Sequence, residues 1–173
     1  EPLQDETFPA ELYLPLNNEI KGVLLYLDEK GEDGLTIQGF DKLPKSSIAV
    51  LSADLVGMGR LYPRSSDWDR YPWCDISRLL SYSSWTLGTS VVHLQISQVY
   101  AILEYIKQRN DLGSVPLYIA GIGRAAPVAL MVAAMQEEIK GLIGINSLIS
   151  YKAYVEHPLP SYNIMSISYG VLK

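Results

Sequence analysis

A short turn built from small residues is the stretch of this sequence with the clearest chemical meaning. Gly121-Ile122-Gly123-Arg124-Ala125 follows an apolar run of strand length and precedes a run rich in alanine. Its small–x–y–x–small pattern is that of a nucleophile elbow, in which a serine is held on a sharp strand-to-helix turn. The central residue is Gly123, which has no side chain and cannot attack a carbonyl carbon. The pattern therefore predicts the shape of an elbow without its nucleophile.

The same turn also matches a dinucleotide-binding fingerprint, G-x-G-x-x-A, through Gly121, Gly123 and Ala126. In such a site a pyrophosphate rests on the N-terminus of the helix, where free N–H groups attract anions. Two features oppose this interpretation. The next strand-like run ends in Asn146-Ser147 rather than in an acidic residue, and at least two strand-like runs precede the turn, whereas the fingerprint usually opens its domain. Dinucleotide binding is the weaker alternative.

Arg124 and two tryptophans are the candidates for binding a ligand. Arg124 would stand beside the mouth of the elbow, where its charge and the N-terminus of the helix would both attract an anion. Trp68 and Trp73 belong to residues 61–88, a long and irregular stretch rich in aromatic residues that would form a lid-like cover over a cleft. Such rings can stack on a flat ligand such as a sugar, or pack against the sheet edge or a partner.

The remaining polar residues are weaker candidates. Three serines do not lie in a predicted sharp turn: Ser52, Ser147 and Ser166. His93 lies at the start of a predicted helix, where a capping or surface role is expected. Glu156 and His157 are adjacent in sequence, so they do not easily face one metal ion, and no third ligand is near in sequence. We therefore expect no catalytic residue, no metal site and no cofactor.

The elements that position the turn follow from the hydrophobic pattern. Uniformly apolar runs predict strands buried on both faces near residues 22–27, 48–53, 115–120 and 141–146. Helical spacing and apolar content predict helices over residues 92–106 and 125–138. Two shorter elements are an edge strand over residues 11–16 and a helix over residues 35–43. This alternation predicts an α/β fold, a mostly parallel sheet with helices on both faces.

Composition limits the classes of protein to consider. The chain has 173 residues, 48% of them hydrophobic and 19% charged, which suits one folded domain over residues 1–173. A net charge of -5 argues against a nucleic-acid partner, because phosphate binding needs a basic face. The longest apolar run, residues 125–135, is too short to span a membrane. Cys74 is the only cysteine, so no internal disulfide can form. We expect this domain to be part of a longer protein.

Several stretches together resemble the α/β-hydrolase superfamily, and more closely the acetyl-xylan-esterase-like proteins of bacterial polysaccharide degradation. Residues 22–31 resemble the strand and oxyanion loop of that family, and residues 50–61 resemble its Asp-x-x-Gly-x-Gly turn, with Asp54, Gly57 and Gly59. Residues 99–106 and 115–134 resemble the helix–strand–elbow–helix core. Residues 148–159 and 169–172 resemble the segment that follows the core.

The resemblance implies a truncated or degenerate α/β-hydrolase-like three-layer sandwich. It places the family's nucleophile on Gly123 and leaves the family's later acid and histidine without counterparts. It thus implies a non-catalytic module, structural or ligand-binding, in a secreted or periplasmic carbohydrate-active protein. The expected partner is another hydrolase domain of the same protein, and the expected ligand is a carbohydrate. The alternative is a carbohydrate esterase that is completed by further chain.

Overall fold

In the part of the chain that the structure describes, a five-stranded sheet lies between layers of helices. The computed structural model describes residues 9–16, 19–63 and 76–148, together with residues 150, 152 and 156. The strands are β1 (Ala10–Tyr13), β2 (Gly22–Asp28), β3 (Ile48–Ala53), β4 (Leu117–Ile122) and β5 (Ile139–Ile145). The helices are α1 (Glu32–Ile37), α2 (Ile76–Thr86), α3 (Val91–Gln108) and α4 (Ala126–Met135). Short 3-10 helices cover Phe40–Ser46, Gly59–Leu61 and Gly123–Ala125.

The sheet is mostly parallel, as the apolar runs predict. The strand order is β1-β3-β2-β4-β5, and only the β1–β3 pair is antiparallel. In the parallel part, Leu25 of β2 is level with Leu51 of β3 and with Ile119 of β4. All seven residues of β2 are buried, because this central strand has neighbours on both edges and packed layers on both faces.

Two separate hydrophobic layers cover the two faces of the sheet. On one face, residues such as Val23 and Ile119 pack in one cluster with Val99 of α3 and Val128 of α4. On the other face, Leu24, Tyr26 and Val50 form a smaller cluster with Leu35 of α1 and with Phe40. Alternate residues of a strand point to opposite faces, so one apolar run supplies both layers. Helices therefore lie on both faces of the sheet, as predicted.

The two helices that flank β4 differ in how their ends are fixed. The hydroxyl oxygen of Ser90 accepts a hydrogen bond from the His93 amide, which caps the start of α3. α4 is shorter than the predicted residues 125–138. It ends at Met135, because Gln136 has an extended backbone conformation. Pro127 lies in the first turn of α4, where its missing N–H removes no helical hydrogen bond.

The prediction of an irregular segment over residues 61–88 is wrong for its second half. Residues Ile76–Thr86 form α2. Its buried serines donate to carbonyls of their own helix, Ser81 to Ser77 and Ser84 to Ser81. These bonds satisfy hydroxyls that would otherwise oppose burial. Residues 64–75, which carry most of the lid-like character expected from the sequence, lie outside the described residues.

Two further elements differ from the prediction. The helix expected over residues 35–43 is instead α1 followed by a 3-10 helix, Phe40–Ser46, that contains Pro44. β5 was expected to be buried on both faces, but Leu142 is 38% exposed and Ile143 is 42% exposed. Within the described residues β5 pairs with β4 alone, so one edge of this apolar strand has no neighbour.

Candidate functional site

The Gly121–Ala125 turn has the strand-to-helix geometry that its pattern predicts. β4 ends at Ile122, Gly123 has φ +59°, and a single 3-10 turn leads into α4. This positive φ is a conformation that residues with a β-carbon rarely adopt. The turn lies at the carboxyl end of β4, level with Asp28 at the carboxyl end of β2. Open α/β sheets bind their ligands at this edge, which makes the turn the candidate site.

Small residues hold α4 close to β4 behind the turn. A β-carbon added to Gly121 would lie 2.6 Å from the Cα of Ala126 and 2.6 Å from the Cβ of Ala129. No larger residue fits there unless the helix moves. The small residues of the pattern therefore have a packing role, which is to let the helix begin directly above the strand.

The carboxylate of Glu29 lies against the turn at the position where an elbow carries its nucleophile. A β-carbon added to Gly123 would lie 2.7 Å from the Cδ of Glu29 and 2.9 and 3.0 Å from its two oxygens. Glu29 belongs to the loop that follows β2, the stretch that resembles an oxyanion loop. No local sequence pattern points to Glu29, because its nearness to Gly123 depends on β2 and β4 being neighbours in the sheet.

Arg124 is the partner of Glu29. The Arg124 amide donates to Glu29 Oε2 at 3.2 Å, and the Arg124 Nε donates to the same oxygen at 3.1 Å. The guanidinium lies over the ring of Tyr62, 5.9 Å from the ring centroid. The prediction placed Arg124 beside the mouth of the turn, and the structure places it there. The anion that it contacts is a side chain of the same protein.

An open cleft of about 500 Å³ adjoins this ion pair. It lies beside the turn, between the loop after β2, α1 and the chain after β3. Its lining residues are Glu29, Lys30, Asp33, Ile37, Gly59, Tyr62 and Arg124. Among these described residues there is no serine, cysteine or histidine.

Asp54 lies between the turn after β3 and the loop after β2, both of which contribute residues to the cleft. It follows β3 directly, and its side chain is 1% exposed. Its Oδ2 accepts hydrogen bonds from the Arg60 amide at 3.1 Å and from the Arg60 Nε at 2.8 Å. The hydrogen bond with Asp54 raises the pKa of Arg60. Asp54 Oδ1 is buried without a hydrogen-bond partner among the described residues.

Glycines make room for the Asp54 carboxylate. A β-carbon on Gly31 or on Gly59 would lie 2.5 Å from Asp54 Oδ1, and both glycines have positive φ. The bond from the Arg60 amide to Asp54 Oδ2 fixes the turn after β3. Asp54 thus ties the turn after β3 and lies against the loop after β2.

Asp28 fixes the start of the loop that carries Glu29. Its Oδ1 accepts a hydrogen bond from the Lys30 amide at 2.8 Å, and its Oδ2 accepts one from the Tyr26 hydroxyl at 2.6 Å. Burial raises the pKa of Tyr26, and the hydrogen bond to Asp28 raises it further. Because Asp28 is level with Ile122 across the sheet, this bonding holds Glu29 beside the turn.

The other predicted candidates lie elsewhere or outside the described part. Ser52 is buried within β3, and the Ser147 hydroxyl donates to the Leu148 carbonyl at 3.3 Å. His93 lines a separate, largely apolar groove between α3 and α4. Glu156 pairs with Lys152 at 3.7 Å. Four candidate residues lie outside the described residues: Trp68, Trp73, His157 and Ser166.

Solved structures of hydrolases resemble this fold. A candidate acetyl xylan esterase from Bacteroides fragilis has a TM-score of 0.66 at 13% identity, over 82% of this chain. A dienelactone hydrolase from Anabaena variabilis has a TM-score of 0.53 at 15% identity, over 78% of this chain. An α/β hydrolase from a Medee basin deep-sea metagenome has a TM-score of 0.52 at 16% identity, over 86% of this chain.

These comparisons identify the fold as that of the α/β hydrolases, as the sequence resemblance implies. The chain spans only 41%, 55% and 44% of those three proteins, in the same order. No family model and no curated protein sequence matches the chain. In the described part of the chain, every helix is too short or too polar to cross a membrane.

Proposed function

We propose that this chain is a non-catalytic α/β-hydrolase-like module, structural or ligand-binding, of a carbohydrate-active protein. The observation that carries the proposal is the position of Glu29. Its carboxylate lies against Gly123, where a nucleophile's side chain would stand, and it accepts a hydrogen bond from the Arg124 amide. In an active elbow that amide belongs to the oxyanion hole and must be free to bind the developing negative charge of the intermediate.

The negative charge of Glu29 beside the turn disfavours acyl transfer at this site. A tetrahedral oxyanion would have to approach a carboxylate that is already held by Arg124. Like charges at such short range repel strongly, and the amide cannot serve both anions fully. The cleft lining, in the part of the chain described, also offers neither a nucleophile nor a histidine base. These features support a module that has kept the fold and lost the reaction.

The second candidate is a carbohydrate esterase completed by further chain. The observation in its favour is that this chain spans only about half or less of the hydrolases that it resembles. Dinucleotide binding at residues 121–126 is a weaker candidate still. A pyrophosphate would need the same helix N-terminus, where the Glu29 carboxylate already binds the Arg124 amide.

The test is hydrolysis of an activated acetyl ester and of acetylated xylan by the purified chain. We expect turnover no faster than with heat-denatured protein, because acyl transfer needs a nucleophile, a base and an oxyanion hole together. Gly123→Ser, alone and combined with Glu29→Ala, should stay inactive, since the described lining of the cleft offers no histidine to act as its base and Glu29 is held by Arg124. Circular dichroism would confirm that each variant is folded.

Gly88→Ser is the matched control. Gly88 also has positive φ, and nothing lies within 4 Å of an added β-carbon. Gly88→Ser therefore places a serine on a backbone of comparable φ at a residue that does not line the cleft. A burst of product from Gly123→Ser but not from Gly88→Ser would show that a base is present and would refute the proposal. Turnover by the longest natural form of the protein would favour the esterase candidate.

A further inference from the structure

The ion pair at the turn has the donor arrangement of a carboxylate-binding site. Two donors of Arg124, the amide and Nε, converge on one oxygen of Glu29 at 3.2 and 3.1 Å. Charge-assisted bonds of this kind are the strong ones in carboxylate recognition. The amide also lies in the first turn of a helical segment that continues into α4, and the dipole of that segment favours an anion. The donors already hold a carboxylate, which shows the chemistry that they accept.

Another carboxylate can displace the Glu29 side chain from these two donors of Arg124. The Glu29 side chain is 34% exposed and that of Arg124 is 21% exposed, so the pair borders the open cleft. Partly exposed ion pairs contribute little to stability, since water competes for both partners. A second carboxylate entering the cleft can therefore replace Glu29 on Arg124 without unfolding the turn.

The cleft limits what that second carboxylate belongs to. Its volume of about 500 Å³ suits a small molecule. The Tyr62 ring, which packs on the guanidinium, and the Ile37 side chain provide an apolar wall beside the donors. Lys30 adds a second positive charge to the cleft lining, and Asp33 adds a second negative one. This combination fits a carboxylate group attached to a ring or another compact apolar body.

We propose that this cleft binds a small organic carboxylate through the amide and guanidinium of Arg124, and that Glu29 fills the carboxylate subsite when no ligand is bound. The inference rests on the proposed function, because in an active hydrolase the same Arg124 amide would have to bind the oxyanion of the reaction instead of a ligand carboxylate. It adds to the proposed function the chemical class of the ligand, and a competition between that ligand and Glu29 for the Arg124 donors.

The test is a titration of ¹⁵N-labelled protein with benzoate and with formate, at constant ionic strength set by chloride. The Arg124 amide signal reports the subsite directly. Glu29→Ala empties the subsite, and Glu29→Gln keeps a side chain of the same length with an oxygen that still accepts from the amide. If Glu29 fills the subsite about nine-tenths of the time, its removal tightens the apparent affinity about tenfold.

We therefore expect Glu29→Ala to bind benzoate about tenfold more tightly than the wild-type protein, with Glu29→Gln between them. Formate should bind more weakly than benzoate, because it has no body to contact Tyr62. Adding Arg124→Gln to Glu29→Ala should abolish the saturable shift. Glu104→Ala removes an exposed carboxylate on α3 and should behave as wild type, which controls for the change in net charge.

Equal affinity in Glu29→Ala and Glu104→Ala would overturn the proposal, as would shifts that do not saturate. If Glu29→Ala does not fold, the wild-type titration decides: saturable shifts centred on residues 29 and 124 support the proposal, and their absence overturns it. The assay involves no ester, so its result is independent of turnover. If the protein neither hydrolyses the esters nor binds the carboxylates, this inference is refuted and the proposed function still holds.

Discussion

The Glu29 carboxylate and Arg124 lie 95 residues apart in the chain and are joined by two hydrogen bonds to a single oxygen. The pair links the loop after β2 to the turn after β4, at the edge of the sheet where ligands of this fold bind. In the proposed function, this pair occupies the Arg124 amide that an active elbow would keep open.

Removing either partner of this pair should lower stability only modestly. We expect Glu29→Gln and Arg124→Gln each to lower the free energy of unfolding by about 1 kcal/mol, because both side chains are partly exposed. The double variant should lose less than the sum, by about 0.5 kcal/mol or more, because the two residues share one interaction. Urea unfolding of the four proteins measures this coupling. Strict additivity would mean that the ion pair does not form in solution.

Gly121 should not tolerate a methyl group, because α4 passes so close to it. Gly121→Ala places a β-carbon 2.6 Å from Ala126 and Ala129, and we expect a loss of about 1–3 kcal/mol in the free energy of unfolding. Gly141→Ala in β5 is the matched control, since its β-carbon would meet only the partly exposed ring of Tyr118, at 3.2 Å. It should cost less than about 0.5 kcal/mol. Equal losses at the two sites would contradict the close packing of α4 on β4.

Asp54 should matter far more to stability than a surface aspartate with a similar partner. Asp54→Asn weakens two charge-assisted bonds from Arg60 in a buried site, and we expect a loss of about 1.5–3 kcal/mol. Asp111 pairs with Arg109 at 2.7 Å, but its side chain is 41% exposed. Asp111→Asn should therefore cost less than about 1 kcal/mol. Chemical denaturation of both variants at neutral pH gives the comparison. A harmless Asp54→Asn would remove the support for Asp54 as the residue that fixes the turn.

Tyr26 should make the protein sensitive to alkali. Its pKa in the folded protein is raised above the ordinary value of 10.0, first by burial and then by the hydrogen bond to Asp28. The unfolded chain therefore releases this proton first as the pH rises. The resulting stability is fully present below pH 10.0 and is lost above it, by up to about 1.4 kcal/mol per pH unit.

Tyr26→Phe tests this dependence on pH. The variant should be less stable than wild type by about 1–3 kcal/mol at pH 8, because Asp28 loses a buried donor. The difference should shrink between pH 10 and pH 11, since only the wild-type protein has this proton to lose. Tyr13, whose pKa is also raised by burial and by its bonds to Glu32 and Glu11, leaves part of the alkaline loss in both proteins. Thermal unfolding across this range gives the two curves, and a difference that stayed constant with pH would contradict the raised pKa.

Local pattern was enough to predict most of the fold. The four apolar runs mark β2, β3, β4 and β5 to within a few residues, and the spacing of apolar residues marks α3. These predictions succeed because a strand or helix repeats its buried positions with a period that is visible in the residues themselves. α2 was missed. Its serines satisfy their hydroxyls within the helix, a solution that composition does not reveal.

Residues 121–125 are enough to predict the turn, the absence of a side chain at Gly123 and the charge of Arg124 beside it. The residue that faces them depends on how the strands are arranged in the sheet. β2 and β4 are neighbours in the sheet, so the loop that holds Glu29 ends level with the turn. That neighbourhood depends on strand order, which arises from long-range pairing and the burial of two sheet faces. No local spacing encodes it, because residues 29 and 124 belong to separate elements with most of the domain between them.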